Sequence, residues 1–252
     1  MRLGPDGCQV IHGDGLAAMA ELGDSSVHLV WTDPPYGHNN NNGDLISRWE
    51  MVFGRAQEAQ ASRPILNDGP EANDLYRAFL PQAFRVLIPG ACCCCCCCGG
   101  GGPDPQFARW SLWMDEVFAF KQMVVWDKGP MGMGWHYRRS YETVLVGQKP
   151  GAPCRWYDDT NRVENVIRDV AKIVPTGDQH PTQKSVELAA RFILNHTQPG
   201  DLVVDPFCGS GSTGVACVRL GRRFLGVELD PHWAGVAERR IASETPCLPG
   251  LG

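Results

Sequence analysis

Short apolar runs alternate with stretches of helical periodicity along the chain, and that alternation reads as an α/β fold. The runs Gln9–Ile11, Val27–Trp31, Cys92–Cys98, Gln122–Trp126, Thr143–Val146, Leu202–Val204 and Arg223–Val227 have strand length and strand-like content. Between them, Gly15–Leu22, Ala72–Leu87, Gln106–Phe118, Thr182–His196, Ser212–Leu220 and Pro231–Ile241 read as helices. Pro89-Gly90, Pro199-Gly200 and the Gly99–Gly102 run punctuate them. Residues 38–70, with the Asn39–Asn42 tract, read as a mobile loop carrying at most one helix, residues 147–180 as irregular, and 246–252 as a frayed tail. There is no internal repeat, so a single domain of 252 residues is expected, long enough to bury a core without disulfides.

Seven of the twelve cysteines are consecutive, Cys92 to Cys98. Neighbours on a strand point to opposite faces, so such a run cannot make a regular disulfide framework. Cysteine also behaves as a small hydrophobe. The run therefore reads as one buried strand of a parallel sheet rather than a polycysteine metal site, and no metal is expected. Reduced thiols and the absence of a signal-like N-terminus point to the cytoplasm. No apolar run reaches the ~18–20 residues that span a bilayer, so no membrane partner is expected.

Net charge is −5, but it is unevenly spread. Residues 121–184 hold ten Lys/Arg against seven Asp/Glu, a locally basic segment in an acidic chain. Arg138, Arg139, Lys149, Arg155, Arg162 and Arg168 are its candidates for phosphate contacts. His136 and His196 read as packing or surface residues rather than catalysts.

Four acids stand at the ends of four expected strands: Asp14, Asp33, Asp205 and Glu228. Open parallel sheets bind ligands outside those ends. After Leu202–Val204 comes Asp205-Pro-Phe-Cys-Gly-Ser-Gly-Ser-Thr-Gly214, a strand, glycine loop and helix with Glu228 nineteen residues beyond Gly209. That context fits a nucleoside cofactor, with the distal acid on the ribose hydroxyls. The loop alone does not separate a dinucleotide from another adenosine cofactor.

Thr32-Asp33-Pro34-Pro35-Tyr36-Gly37 separates them. Two prolines remove two backbone donors and hold the turn extended. The Asp33 carboxylate and the Pro34 carbonyl then offer two acceptors to one planar amino group, and Tyr36 offers a stacking face.

The two motifs together resemble those of S-adenosylmethionine-dependent DNA methyltransferases acting on amino groups. Asp33–Tyr36 matches their catalytic motif and Asp205–Gly211 their cofactor loop. The catalytic motif comes first, as in the β-class, circularly permuted enzymes. His180-Pro-Thr-Gln-Lys184 resembles a further segment of that class, with Ser185 where proline is usual, and Trp126-Asp-Lys128 resembles another. The resemblance implies a Rossmann-like methyltransferase fold: a seven-stranded, mostly parallel sheet with helices on both faces. It implies catalytic roles for Asp33, Pro34, Pro35 and Tyr36. Asp14, Asp205, Phe207, Cys208, Gly209, Ser210, Gly211, Glu228, Lys184 and His180 would bind the cofactor, with Asp14 on the adenine amine. The substrate would be DNA with a flipped base, adenine N6 before cytosine N4. A homodimer and a restriction-endonuclease partner fit the class, and the target-recognition insert would fall within 147–180.

Competing readings are weaker. Pro153-Cys154 with Glu164-Asn165-Val166 imitates cytosine-C5 enzymes at the wrong spacing. A dehydrogenase leaves Asp33–Tyr36 without a role. Methylation of RNA or a protein amine, and a non-catalytic nucleic-acid-binding module, are the remaining alternatives.

Overall fold

The computed structural model describes residues 7–37, 66, 69, 71–97, 106–129, 140–171 and 183–245. Eight strands are formed: β1 Cys8–His12, β2 Val27–Thr32, β3 Leu87–Cys97, β4 Ala119–Asp127, β5 Tyr141–Gln148, β6 Val166–Ile167, β7 Leu202–Asp205 and β8 Arg223–Glu228. Six helices of the described residues accompany them: α1 Gly15–Ala20, α2 Ala72–Val86, α3 Gln106–Val117, α4 Val186–His196, α5 Ser212–Arg219 and α6 Pro231–Ala242. The strands make one sheet in the order β1-β8-β7-β2-β3-β5-β4-β6. β1, β8, β7, β2 and β3 run parallel; β5 is antiparallel to both its neighbours, and β6 pairs parallel with β4.

Each face of the sheet is covered by helices, which makes three layers. Leu188, Phe192 and Ile193 of α4, Val215 of α5 and Ile241 of α6 close one face. Met19 of α1, Tyr76, Phe79 and Leu80 of α2, and Trp110 and Met114 of α3 close the other. The apolar positions of α2 recur at helical spacing (Tyr76, Phe79, Leu80, Ala83), which is why it lies flat on the sheet. The cysteine run crosses the middle of this sandwich. Cys92, Cys94 and Cys96 enter the first core and Cys93, Cys95 and Cys97 the second, as strand alternation requires. No disulfide joins the described cysteines; Cys98 lies outside the described residues.

Several expectations need correction. The sheet has eight strands, because two residues of the stretch read as irregular pair with β4 as β6. Two residues carry no periodicity, so sequence pattern could not find them. The cysteine strand is parallel to β2 but antiparallel to β5, so it sits at the switch between the two arrangements. Pro89-Gly90 does not stop β3. The strand passes through as an irregularity in the register with β2, with Gly90 at φ +84°. α4 begins at Val186, four residues later than periodicity suggested, because Ser185 is its N-cap, accepting from the N–H groups of Glu187 and Leu188. Among the described residues, no helix is long and apolar enough to cross a membrane. Of the 38–70 loop, only Leu66 and Gly69 are described; the Asn39–Asn42 tract and the 246–252 tail lie outside.

Candidate active site

β2 and β7 are neighbours, so the two motifs leave the sheet side by side. Thr32 Oγ1 donates to Asp205 Oδ1 at 2.7 Å across that boundary. Thr213 Oγ1 donates to Asp205 Oδ2 at 2.6 Å, and the Phe207 N–H donates to Oδ1 at 3.2 Å. Both oxygens of Asp205 are thus engaged by the protein itself. Burial pushes its carboxyl up to about 7, against these three donors.

The glycine loop is held from several sides. Glu228 accepts from the Gly209 N–H through Oε2 and from the Asp230 N–H through Oε1, each at 2.9 Å. Burial raises the Glu228 carboxyl above the usual range. The Cys208 N–H donates to the Val227 carbonyl at 2.9 Å, leaving its thiol buried. Ser210 donates its hydroxyl to Gln183 Oε1 at 3.1 Å and accepts from Arg240 at 2.9 Å. Gly211 takes φ +82° at the N-cap of α5, and a Cβ there would meet Ala237 at 2.9 Å. Here glycine serves the packing of the loop on α6 as well as the turn. On β1, Asp14 accepts from the Ala17 N–H at 2.7 Å and caps α1.

The catalytic motif contains a cation that the sequence placed elsewhere. Lys184, expected on the cofactor, lies with Nζ 2.8 Å from Asp33 Oδ2 and 3.0 Å from Glu142 Oε2. Lys128 holds the other Glu142 oxygen at 2.8 Å. Tyr36 donates its phenol to Asp33 Oδ1. Four charges therefore alternate in sign from Asp33 through Lys184 and Glu142 to Lys128. Burial alone would lower Lys184, but Asp33 and Glu142 raise it well above the usual lysine value, so it stays an ammonium. Burial opposes ionisation of Glu142 too, yet Lys184 and Lys128 hold it at about 2. Burial raises Asp33 in spite of the lysine. Asp33 keeps 22% of its side chain exposed, enough to meet a ligand.

Tyr36 is more enclosed than an open stacking face. It is buried, with Lys184 Nζ 5.2 Å from its ring centroid and the Trp110 ring 6.3 Å away at a tilt. Trp110 in turn stacks on Tyr76 at 4.0 Å. One cavity joins Asp33, Pro34, Pro35 and Tyr36 to Asp14, Asp205, Phe207, Cys208, Gly209, Ser210 and Glu228. His180 lies outside the described residues. Glu142, Lys128, Thr32 and Thr213 were not anticipated. Lys128 stood in a segment noted for its resemblance, but pairing with Glu142 requires the antiparallel β4–β5 register, in which Trp126 faces Glu142.

The cavity also has room in its chemistry for a polar ligand. Ser212 lines it with a buried hydroxyl that has no partner in the protein. Carboxylates at Asp14 and Glu228 stand on one side and the Phe207 ring on another, a donor and acceptor set that fits an adenosine moiety.

Residues 27–239 match the family model for DNA methylases. The chain belongs to that family. It is a DNA methyltransferase, and the family's methyl donor is S-adenosylmethionine. The chain is 25% identical over 258 residues to the type II methyltransferase M2.DpnII of Streptococcus pneumoniae, covering 93% of this chain and 90% of that protein. It is 26% identical over 272 residues to the DNA adenine methyltransferase YhdJ of Escherichia coli K12, covering 95% and 84%. Among solved structures, it is similar to the DNA modification methylase TTHA0409 of Thermus thermophilus complexed with S-adenosyl-L-methionine, with TM-score 0.67, 24% identity and coverage of 97% and 96%. The cytosine-N4-specific PvuII DNA methyltransferase matches with TM-score 0.67, 19% identity and coverage of 96% and 95%. These two likenesses establish the fold.

The basic residues divide on inspection. Lys149 donates to the Leu87 carbonyl at 2.7 Å, and Arg155 pairs with Asp201 at 2.7 Å, so both are tied to the protein. Arg162 is exposed, and Arg168 is exposed beside Glu164 at 3.2 Å. Arg138, Arg139 and His136 lie outside the described residues.

Proposed function

We propose that the protein methylates the N6 amine of a flipped adenine in DNA. The observation that carries this reading is the single cavity joining the Asp33–Tyr36 motif to the glycine loop and Glu228. The name of the adenine methyltransferase YhdJ and the initial aspartate of the motif support adenine over cytosine. The N4-cytosine reading keeps one specific support, the shared fold of the PvuII enzyme.

In this reading Asp14, Phe207, Gly209, Ser212 and Glu228 hold S-adenosylmethionine. When bound, that cofactor supplies an electrophilic methyl group on a sulfonium centre. The protein's own residues do the rest. Lys184 stays protonated and fixes Asp33 by one oxygen, while Tyr36 holds the other. A carboxylate has about four lone-pair positions, so Asp33 can still accept an N–H from the incoming amine. The Pro34 carbonyl, next to a nitrogen with no hydrogen, accepts the second. As the amine nitrogen bonds to carbon it must shed one proton, and Asp33, raised by burial, is the group here able to take it. Base extrusion costs a few kcal/mol; positioning of the amine supplies much of the acceleration.

The finer organisation follows the same reading: one catalytic domain, a target-recognition insert within 147–180, phosphate contacts from Arg162 and Arg168, and a cytoplasmic location. The type II names of relatives suit an endonuclease partner, and a homodimer would give two target strands two sites. The test is methyl transfer from labelled S-adenosylmethionine to DNA, with Asp33→Ala as control. Transfer that survives Asp33→Ala, or no transfer to any DNA, defeats it.

A further inference from the structure

A second cluster of reactive side chains lies at the far end of α4. Cys92 of β3, Cys154 of the segment after β5, and His196, the last residue of α4, place one ligand atom each within 4.8 Å of one another. Cys92 Sγ and Cys154 Sγ are 3.8 Å apart. Two thiolates about 2.3 Å from a tetrahedral zinc ion stand about 3.8 Å apart, so the sulfurs already have that spacing. The Nδ1 of His196 lies 3.2 Å from the Arg155 carbonyl. Donation from Nδ1 to that carbonyl leaves Nε2 as the basic nitrogen, the arrangement that orients a metal-bound imidazole.

The backbone brings these residues together by specific means. Gly90, at φ +84°, would place a Cβ 2.3 Å from the Pro153 carbonyl oxygen, so only glycine admits the 152–155 segment. The Gly90 carbonyl then accepts from the Arg155 N–H at 2.9 Å, and the Asn195 carbonyl from the Tyr157 N–H at 2.8 Å. These bonds set Cys154 between β3 and the end of α4. The three residues open onto a cavity of about 280 Å³ also lined by Gln122, Glu164 and Trp156, which leaves room for a fourth ligand.

We propose that Cys92, Cys154 and His196 form a binding site for a zinc-class divalent cation, with the fourth position open to the cavity. This departs from the reading of the cysteine run as purely apolar: one member of the run leaves the core's chemistry and five of the six described do not. The set of two thiols and one imidazole selects a soft or borderline cation over calcium or magnesium. The ion would join β3, the 149–157 segment and α4. α4 extends about 16 Å from its first residue to His196, and Lys184 stands just before its N-cap. The site is therefore remote from Asp33, and its role is to fix the helix rather than to touch substrate. It does not depend on the methylation reading.

The test uses the full chain, reduced and stripped with a chelator, and Co²⁺ as probe. One equivalent should bind with a thiolate-to-cobalt charge-transfer band, and Zn²⁺ should displace it and raise Tm. Cys154 is exposed, so Cys154→Ser should fold, yet lose the band and the Tm response. Cys8→Ser should keep both. Absence of the band in the reduced wild type, or its persistence in Cys154→Ser, overturns the site. So does a Cys92–Cys154 disulfide found by peptide mapping of protein prepared with zinc present, which would make the pair a redox couple.

Discussion

Thr32 donates its hydroxyl to Asp205 Oδ1 at 2.7 Å, and this bond joins the strand bearing Asp33 to the strand bearing the cofactor loop. Both residues are buried, and Thr213 completes the clasp from α5. The two halves of the site are thereby held at one spacing, which a direct methyl transfer needs. Thr32→Val keeps the shape and removes the donor, leaving a buried carboxylate oxygen with less compensation. The expected loss is about 1–3 kcal/mol of stability, with a larger fall in methyl transfer than in cofactor binding. Thr32→Ser should retain most of both. Denaturant titration and calorimetry check this; equal stability of the Val variant and wild type would remove Thr32 from the account.

The pH profile of stability follows from two buried carboxyls with opposite shifts. Burial raises Asp205 to about 7, so its protonated form is favoured in the folded state. Its contribution is complete below the unfolded carboxylate pKa near 4 and is lost as pH rises through about 7. Lys184 and Lys128 lower Glu142 to about 2, so its contribution is present above about 4.5 and lost as pH falls toward 2. Stability should therefore peak between about pH 4.5 and 6. Thermal melts should show Tm falling between pH 5 and 8 in the wild type, with that slope flattened in Asp205→Asn. A slope unchanged by the substitution would assign it to other groups.

Lys184 is the position where charge decides the outcome. It balances Asp33 and Glu142 together. Lys184→Met leaves two buried carboxylates facing each other. Breaking a buried pair in this way costs about 3–5 kcal/mol. Methyl transfer should fall by about 100-fold or more, the lower end of what a positioned polar group contributes. Cofactor affinity should change little, because Gly209, Glu228 and Asp14 are untouched. Lys184→Arg should recover part of the rate and shift its acid limb. Strongly weakened cofactor binding with a normal rate at saturation would return Lys184 to the cofactor side.

Much of this was legible in the sequence for a physical reason. Asp14, Asp33, Asp205 and Glu228 each follow a short apolar run, and strand ends in a parallel sheet converge on one crevice. Local pattern therefore located the site. It did not locate the Asp33–Lys184–Glu142–Lys128 chain, because those contacts come from β2, the approach to α4, β5 and β4, set by strand order rather than by spacing. The same limit hid β6, two residues long, and the meeting of Cys92 with His196 across 104 positions of chain. Ser185 shows the converse: a departure from the family pattern turned out to have its own local meaning, a helix cap.

The thiols of β3 give a direct readout of its place in the sheet. Cys92 to Cys97 are buried, and burial raises the thiols from Cys93 to Cys96 well above the usual cysteine range, which suppresses the reactive thiolate. Cys154 is exposed, and its contact with Cys92 brings its thiol down to about 7. An alkylating reagent near pH 7.5 should modify Cys154 first among the described cysteines, and Cys93 to Cys97 only after denaturation. Mass mapping of the labelled peptides decides; rapid native labelling of Cys94 or Cys95 would place the strand at an edge.

The target atom is the last point to test. Both adenine N6 and cytosine N4 present two N–H donors, so Asp33 and Pro34 accept either. The difference must come from the ring carrying the amine. Tyr36 is buried, with Lys184 over its ring and Trp110 beside it, so the purine has less aromatic surface to stack on than an open tyrosine would offer. The preference for adenine therefore rests on Asp33 opening the motif and on the similarity to YhdJ. Nucleoside mass spectrometry of DNA treated with the protein and S-adenosylmethionine should show N6-methyladenine, absent with Asp33→Ala. Tyr36→Phe should keep the product and lower the rate, since it removes the phenol on Asp33 but not the ring. Tyr36→Ala should lower it further, by about the 1–3 kcal/mol of a lost base stack. N4-methylcytosine as the only product would reassign the base and leave the roles of Asp33 and Lys184 in place.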